Sequence, residues 1–77
     1  SNRNFKSTII EWAQKNGHSV EFQIVKEEED NYKKSFNSVV LLNSEIIGQG
    51  EGASKKKAEQ AAAEKACKSQ GIHKSLE

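Results

Sequence analysis

Residues 48–66 read GQGEGASKKKAEQAAAEKA, a glycine-rich segment that runs into lysines and then alanines. The alternate glycines have low strand propensity and allow a neighbouring backbone to approach closely. Ser54 is a candidate N-cap, and the alanines beyond it form a small-residue face on a helix predicted over residues 55–68. Because alanine has little side-chain bulk, we expect this helix to pack close to its partner surface. Residues 45–50 are predicted to form the strand that precedes it.

A first helix is predicted over residues 4–16. Apolar residues recur there at helical spacing and share one face, namely Phe5, Ile9, Trp12 and Ala13. Asn16-Gly17 is expected to end this helix, because both residue types tolerate the left-handed conformation past a helix end. The residues interpreted as core rather than functional are Trp12, Phe22, Phe36 and Cys67.

Two further strands are predicted between the helices. Residues 20–26 alternate between apolar and polar side chains, as a half-buried strand does. Residues 35–42 form the second strand, and residues 43–44 form a turn that leads to the strand already described. The acidic residues that lie between the first two strands, together with Asn31, are predicted to form a solvated loop.

This order of elements predicts an α+β fold with the layout α-β-β-β-α. Short connections favour a three-stranded antiparallel sheet with the two helices packed on one face. A chain of 77 residues forms a single domain, assigned to residues 1–77 with its core at about 4–68. No apolar run approaches the roughly 20 residues that a membrane span needs, and no charged-then-apolar leader is present, so no membrane partner is expected.

Charge is distributed unevenly along the chain. Twelve basic residues against eleven acidic ones leave a net charge of +1, which indicates little about partners. Residues 27–30, however, carry four carboxylates in a row, whereas residues 55–68 carry five lysines against two glutamates, which leaves +3. The chain is therefore electrically polarised along its length.

Three lysines, at positions 55 to 57, lie in the first turn of a predicted helix, where positive charge is normally disfavoured. The N-terminus of a helix carries partial positive charge, and each cation there costs about 0.3–1 kcal/mol at low salt. Residues that break a local rule of this kind are expected at functional sites. Free backbone N–H groups, the helix dipole and ammonium groups all favour a phosphate. The alternative is a solvated basic turn that serves solubility alone.

Other kinds of site find no support in the pattern. No glycine precedes a lysine as a P-loop requires, and the glycines of residues 48–52 have the wrong spacing for a dinucleotide fingerprint. His18 and His73 lack cysteine or carboxylate partners at metal-ligand spacing. The acidic run lacks the spaced pattern of a calcium loop. We therefore expect no metal, no cofactor and no catalytic residue.

The whole pattern resembles a known family. Residues 48–66 resemble the C-terminal half of a double-stranded-RNA-binding domain, and residues 4–7 (NFKS) and 11–14 (EWAQ) match the first helix of that family. The resemblance covers residues 4 to about 68. Residues 58–63 (AEQAAA) are similar to the branch that follows the nuclease domain of bacterial ribonuclease III.

The resemblance implies three contacts with A-form RNA. The first helix lies in a minor groove, where Glu11 bonds ribose 2′-hydroxyls. The loop between the first two strands enters the next minor groove. The N-terminus of the second helix crosses the intervening major groove, with Lys55 and Lys56 on phosphates. The RNA-binding residues expected on this basis are Thr8, Glu11, Tyr32, Ser54, Lys55, Lys56 and Lys57.

The chain departs from the family pattern in three places. Many members carry Gly-Pro-x-His in the middle loop, where this chain has residues 29–32, so that Tyr32 replaces the histidine and the acidic run is expected to repel phosphates. Ile10 replaces a frequent glutamine before Glu11. Glu59 stands where many members have a third lysine.

The resemblance implies a non-catalytic domain that holds double-stranded RNA for a covalently attached nuclease domain of the ribonuclease III type. The chain lacks an initiator methionine and is expected to be a segment of a longer protein. A single cysteine fits a reducing compartment, and we expect a cytoplasmic location. The alternative is a degenerate domain of the same fold used for protein–protein interaction. A metal-dependent hydrolase has no support beyond the acidic run.

Overall fold

The computed structural model describes residues 4–72, so His73 lies outside the described residues. The elements in chain order are α1 (Phe5–Lys15), β1 (Val20–Asp30), β2 (Lys33–Leu42), β3 (Glu45–Gly52) and α2 (Lys55–Ser69). The three strands form one antiparallel sheet in the order β1-β2-β3. The predicted α-β-β-β-α fold is therefore confirmed. Neither helix is long and apolar enough to cross a lipid bilayer.

Local capping interactions define both ends of both helices. The Asn4 side chain accepts a hydrogen bond from the third amide of α1, and the Ser54 side chain accepts one from the Lys57 amide of α2, at 3.1 Å. Gly17 follows α1 with a φ of +69°, and Gly71 follows α2 with a φ of +67°. In each case the backbone N–H groups of the glycine and of the residue after it donate to carbonyl oxygens in the last turn of the helix, as in a Schellman motif.

The core lies between the sheet and the two helices. Its buried cluster consists of Ile9, Val40, Ala62, Ala63, Ala66 and Cys67. Phe36 is also buried, while Trp12 and Phe22 are half-buried and pack against the cluster, so the predicted core aromatics are confirmed. Burial raises the pKa of the Cys67 thiol, and the nearby Glu64 carboxylate raises it further, which keeps the thiol protonated.

Helix α2 packs directly on the backbone of β3. A Cβ atom added to Gly48 would lie 2.5 Å from the Ala62 carbonyl oxygen, and one added to Gly52 would lie 2.6 Å from the Ala58 nitrogen. At Gly50 the added atom would overlap the α2 backbone even more closely. The absence of side chains on this strand thus lets the alanine face of α2 approach the sheet, and it fixes where the first turn of α2 begins.

The acidic run forms part of a strand, and the prediction of a solvated loop there is wrong. Strand β1 continues through residues 27–30, and only Asn31 and Tyr32 form the turn, with φ angles of +52° and +67°. Two consecutive residues with positive φ are typical of the tightest hairpin turn. Lys33 and Lys34, at the start of β2, pair with Asp30 and Glu29 at the end of β1, so opposite charges face each other along the hairpin.

Candidate nucleic-acid interface

Thr8 and Glu11 are three positions apart on α1 and lie next to each other on the surface of the helix. Ile9 and Ala13, on the opposite side of the helix, are completely buried in the core. Glu11 is exposed, and its carboxylate makes no hydrogen bond or ion pair with any other described residue. Thr8 is half-buried, and its hydroxyl donates to the carbonyl oxygen of Asn4 at 3.1 Å. The carboxylate of Glu11 therefore has free acceptor capacity at the surface.

Helix α2 begins with an uncompensated cluster of positive charge. Lys55, Lys56 and Lys57 are all exposed, and none of their ammonium groups pairs with a carboxylate in residues 4–72. The first turn contains no acidic residue. The first amides of a helix have no partner within the helix, and the helix dipole adds to their positive potential. This turn can therefore bind an anion of the size of a phosphate.

Ser54 has a structural role in this cluster. Its side-chain oxygen accepts from the Lys57 amide, and its carbonyl oxygen accepts from the Ala58 amide at 2.9 Å. The extended backbone of Ser54, with φ −141° and ψ 163°, is that of an N-cap residue. The prediction of Ser54 as the N-cap is confirmed. Its hydroxyl hydrogen remains able to donate to an anion bound at the same turn.

Tyr32 lies at the tip of the hairpin, apart from the two helices. Its side chain is 96% exposed, and the residues on either side of it, from 26 to 34, are exposed as well. The tip thus combines a phenol with two lysines and the carboxylates of the acidic run. The structure brings the predicted residues of α1 and α2 together on neighbouring helices but places Tyr32 at a separate point.

A contact between the two helices was not predicted from the sequence. The Lys6 Nζ atom lies 2.7 Å from a carboxylate oxygen of Glu59, and the Gln60 side chain bonds to the first turn of α1. In the sequence, Glu59 stands out only as a departure from the lysine that many family members carry. Because these partners are more than 50 positions apart, no local pattern could have indicated the contact.

No alternative chemistry emerges from the rest of the described chain. Within residues 4–72, no three histidine, cysteine, aspartate or glutamate residues come together in a way that could hold a metal ion. The three ion pairs found there join Lys6 to Glu59, Lys26 to Glu28 and Lys68 to Glu64. The basic turn of α2 and the exposed face of α1 therefore remain as the candidate interface.

An α-β-β-β-α domain with a basic helix N-terminus beside an exposed helix face belongs to the nucleic-acid-binding class of small domains. More specifically, residues 5–70 match the family described as "Double-stranded RNA binding motif", and the chain belongs to this family. The match spans the whole described fold except its outermost residues. It does not favour the protein–protein alternative.

Similar proteins point to one branch of the family. The chain is 45% identical to "Ribonuclease 3" of Pelotomaculum thermopropionicum over 65 residues, which cover 83% of this chain and 27% of that protein. It is also 45% identical to "Ribonuclease 3" of Enterococcus faecalis over 65 residues, or 83% of this chain and 28% of that protein. The similarity to the C-terminal domain of bacterial ribonuclease III is thereby confirmed. The chain spans less than a third of the length of these relatives.

Proposed function

We propose that this domain binds double-stranded RNA without catalysis, as the RNA-binding part of an endoribonuclease of the ribonuclease III type. The observation that carries the proposal is the cluster of exposed, unpaired lysines in the first turn of α2. A nuclease domain is covalently attached to this domain in the full-length protein. The support for this part of the proposal is that the matched residues cover only 27–28% of the relatives named Ribonuclease 3. A cytoplasmic location belongs to the same proposal.

The lysine turn supplies affinity. Lys55 and Lys56 each neutralise a phosphate across the major groove, and Lys57 adds to the positive potential at the same turn. Ser54 holds the turn in place through its N-cap bond and can donate its hydroxyl hydrogen to a phosphate. Neutralisation of phosphates releases counterions, so this part of the binding is strong at low salt and independent of base sequence.

Helix α1 supplies the preference for RNA. Glu11 has free acceptor oxygens, and a ribose 2′-hydroxyl is a donor that DNA lacks. Thr8 lies three positions earlier on the same side of the helix, where its hydroxyl can contact the floor of the same minor groove. A carboxylate in this position repels phosphates, and its contribution is favourable only if it bonds to 2′-hydroxyls.

The hairpin tip supplies a weaker, second minor-groove contact through Tyr32. The two-residue turn makes the tip narrow, and the fully exposed phenol is an apolar ring with a hydroxyl at its end. The carboxylates just before the turn oppose this contact because they face the same phosphate backbone. We therefore assign Tyr32 a smaller share of the affinity than the lysine turn.

A titration with matched duplexes tests the proposed function. Double-stranded-RNA-binding domains as a class span about 16 base pairs, so RNA and DNA duplexes of identical sequence and at least that length are suitable. The domain should bind the RNA duplex more tightly than the DNA duplex and than either single strand. Equal affinity for the two duplexes would contradict groove recognition and leave only general charge attraction.

A further inference from the structure

The two RNA-contacting helices are joined by a set of polar contacts between Asn4, Lys6, Glu59 and Gln60, which we call the interhelix clamp. The strongest contact is the ion pair between Lys6 Nζ and Glu59 Oε1 at 2.7 Å. The Lys6 ammonium also lies 5.1 Å from the centre of the Phe22 ring on β1. With its side chain 38% exposed, Lys6 is directed inward against two other elements rather than outward toward solvent.

Gln60 makes the second half of the clamp. Its side-chain oxygen accepts from the backbone N–H of Lys6 at 3.3 Å, and its side-chain nitrogen donates to the Asn4 side-chain oxygen at 2.9 Å. The same Asn4 oxygen accepts from the Ser7 amide at 3.0 Å. A residue of α2 thus completes the N-cap of α1, although the two lie 56 positions apart in the chain. The start of α1 is therefore tied to the second turn of α2.

The clamp lies between the two proposed RNA contacts. Thr8 follows Asn4 by one helical turn and bonds to its carbonyl oxygen, so the groove-facing side of α1 begins at the clamp. Lys55 and Lys56 precede Glu59 and Gln60 by one helical turn of α2. Any shift in the clamp changes the distance between the residues that read the minor groove and those that bind phosphates.

From this placement we propose that the clamp residues are positioning residues for duplex recognition. They set the spacing between α1 and the lysine turn to that of adjacent grooves in A-form RNA, and they act without contacting RNA. The inference rests on the proposed function, since it assumes that both helices contact one duplex. Discrimination between A-form RNA and B-form DNA depends on this spacing, because the groove dimensions of the two duplexes differ.

The substitution Glu59→Gln separates positioning from charge. It removes a negative charge beside the lysine turn and replaces the ion pair with Lys6 by at most a neutral hydrogen bond, so a model based on charge alone predicts tighter binding to every duplex. The clamp predicts the opposite for RNA. We expect RNA affinity to fall by roughly threefold or more, with DNA affinity unchanged or increased, so that the ratio of RNA to DNA affinity decreases.

A matched control lies on the same helix. Glu64→Gln removes an identical charge and also breaks an ion pair, but the partner of Glu64 is Lys68, four positions further along α2. This variant should leave the ratio of RNA to DNA affinity unchanged. The swapped variant Lys6→Glu/Glu59→Lys keeps the net charge and restores an ion pair between the helices. It should recover the ratio to within about twofold of the parent chain.

Gln60→Ala gives a second test that changes no charge. It should lower the RNA-to-DNA ratio in the same direction as Glu59→Gln. Circular dichroism confirms that each variant is folded, which we expect because a partly exposed ion pair contributes little to stability. If both variants lose stability but keep the parent ratio, the clamp is merely structural and the inference is overturned. Failure of the swapped variant to recover the ratio would also overturn it.

The same titrations separate this inference from the proposed function. If the parent chain itself binds RNA and DNA duplexes equally, the proposed function fails and the clamp inference fails with it. If the parent chain prefers RNA and Glu59→Gln retains that preference, the proposed function stands and only the clamp inference is overturned.

Discussion

At the scale of single residues, Glu11 and the lysines of α2 place opposite demands on the same ligand. An exposed carboxylate without a partner in the described chain repels a polyanion, whereas the ammonium groups at the start of α2 attract it. The two are compatible if the carboxylate faces ribose hydroxyls rather than phosphates. The position of Glu11 on the side of α1 opposite Ile9 and Ala13 is consistent with that role.

Replacement of Glu11 by alanine tests this role by the sign of its effect. Glu11→Ala should weaken binding to an RNA duplex although it removes a negative charge. The expected loss is about 1.5–3 kcal/mol, the range for a hydrogen bond to a charged group. Glu45→Ala, which removes an exposed carboxylate at the start of β3, serves as the control and should leave RNA binding unchanged or slightly tighter. Tighter binding by Glu11→Ala would mean that α1 does not enter the groove.

Tyr32 is the residue whose contribution we expect to be small. Tyr32→Ala should lower RNA affinity by roughly 1 kcal/mol or less, with no change in the salt dependence because no charge is removed. Tyr32→Phe separates the hydroxyl from the ring and should show whether a hydrogen bond is involved. Isothermal titration calorimetry at two salt concentrations gives both the RNA affinity and its salt dependence. A loss as large as that of a lysine pair would show that the hairpin tip is a principal contact.

At the scale of elements, the close packing of α2 on β3 positions the lysine turn. The three glycines of β3 face the backbone of α2 at distances that exclude any Cβ atom. Helix α2 therefore cannot shift along or away from the sheet without loss of core contacts, since interiors are packed as densely as organic crystals. The location of the binding turn depends on glycines that never approach the ligand.

Gly50→Ala should destabilise the domain strongly. The added methyl group would overlap backbone atoms of Ala62, and neither element can yield without separating from the other. We expect a loss of about 3 kcal/mol, the upper end for overpacking, which corresponds to a fall in Tm of at least about 12 °C. Gly17→Ala is the control, because it has positive φ but open space around it and should cost only about 1–2 kcal/mol. Thermal unfolding gives the stability of both variants. An equal loss of stability in Gly50→Ala and Gly17→Ala would contradict the direct packing of α2 on β3.

Elements were predictable from the sequence where the determining interactions are local. The two helices, the Ser54 N-cap, the end of α1 at Asn16-Gly17 and the core face of α1 follow from neighbours within one turn, and the structure agrees on each. The N-cap of α1 at Asn4 and the C-terminal cap of α2 were not predicted. The acidic run was misjudged because its strand is supported by Lys33 and Lys34 across the hairpin, which becomes visible only with the register. The interhelix clamp was missed for the same reason, since Glu59 and Gln60 bond to residues more than 50 positions away.

At the scale of the whole molecule, the two charged segments of the sequence occupy different parts of the fold. The acidic run lies along the hairpin of β1 and β2, whereas the lysine cluster begins α2. Both lie toward the same end of the sheet, because Glu27 of β1 pairs with Phe36 of β2 and Phe36 pairs with Gly52, the last residue of β3 before α2. The net charge of +1 is therefore the near balance of a basic segment and an acidic segment. In the proposed complex the lysine turn attracts the phosphate backbone and the acidic run opposes it, so we expect the contact at the hairpin tip to be the weaker one.

The double variant Lys55→Ala/Lys56→Ala tests most directly whether the lysine turn binds RNA. Two quantities are measured on it, namely the salt dependence of its RNA affinity and its free energy of unfolding. The slope of log K against log [salt] should flatten by roughly 1–2 units, because two phosphate contacts are lost. Stability should stay equal or rise by about 0.3–1 kcal/mol per lysine, because cations leave a positive helix end.

The control Lys65→Ala/Lys68→Ala removes the same charge from the distal half of α2. It should change the slope little, and it should lower stability slightly because Lys68 lies at the negative end of the helix. Weaker RNA binding with unchanged or greater stability is the result that a site kept for RNA predicts. An unchanged slope in Lys55→Ala/Lys56→Ala would contradict the account and reduce the lysine turn to a solvated surface.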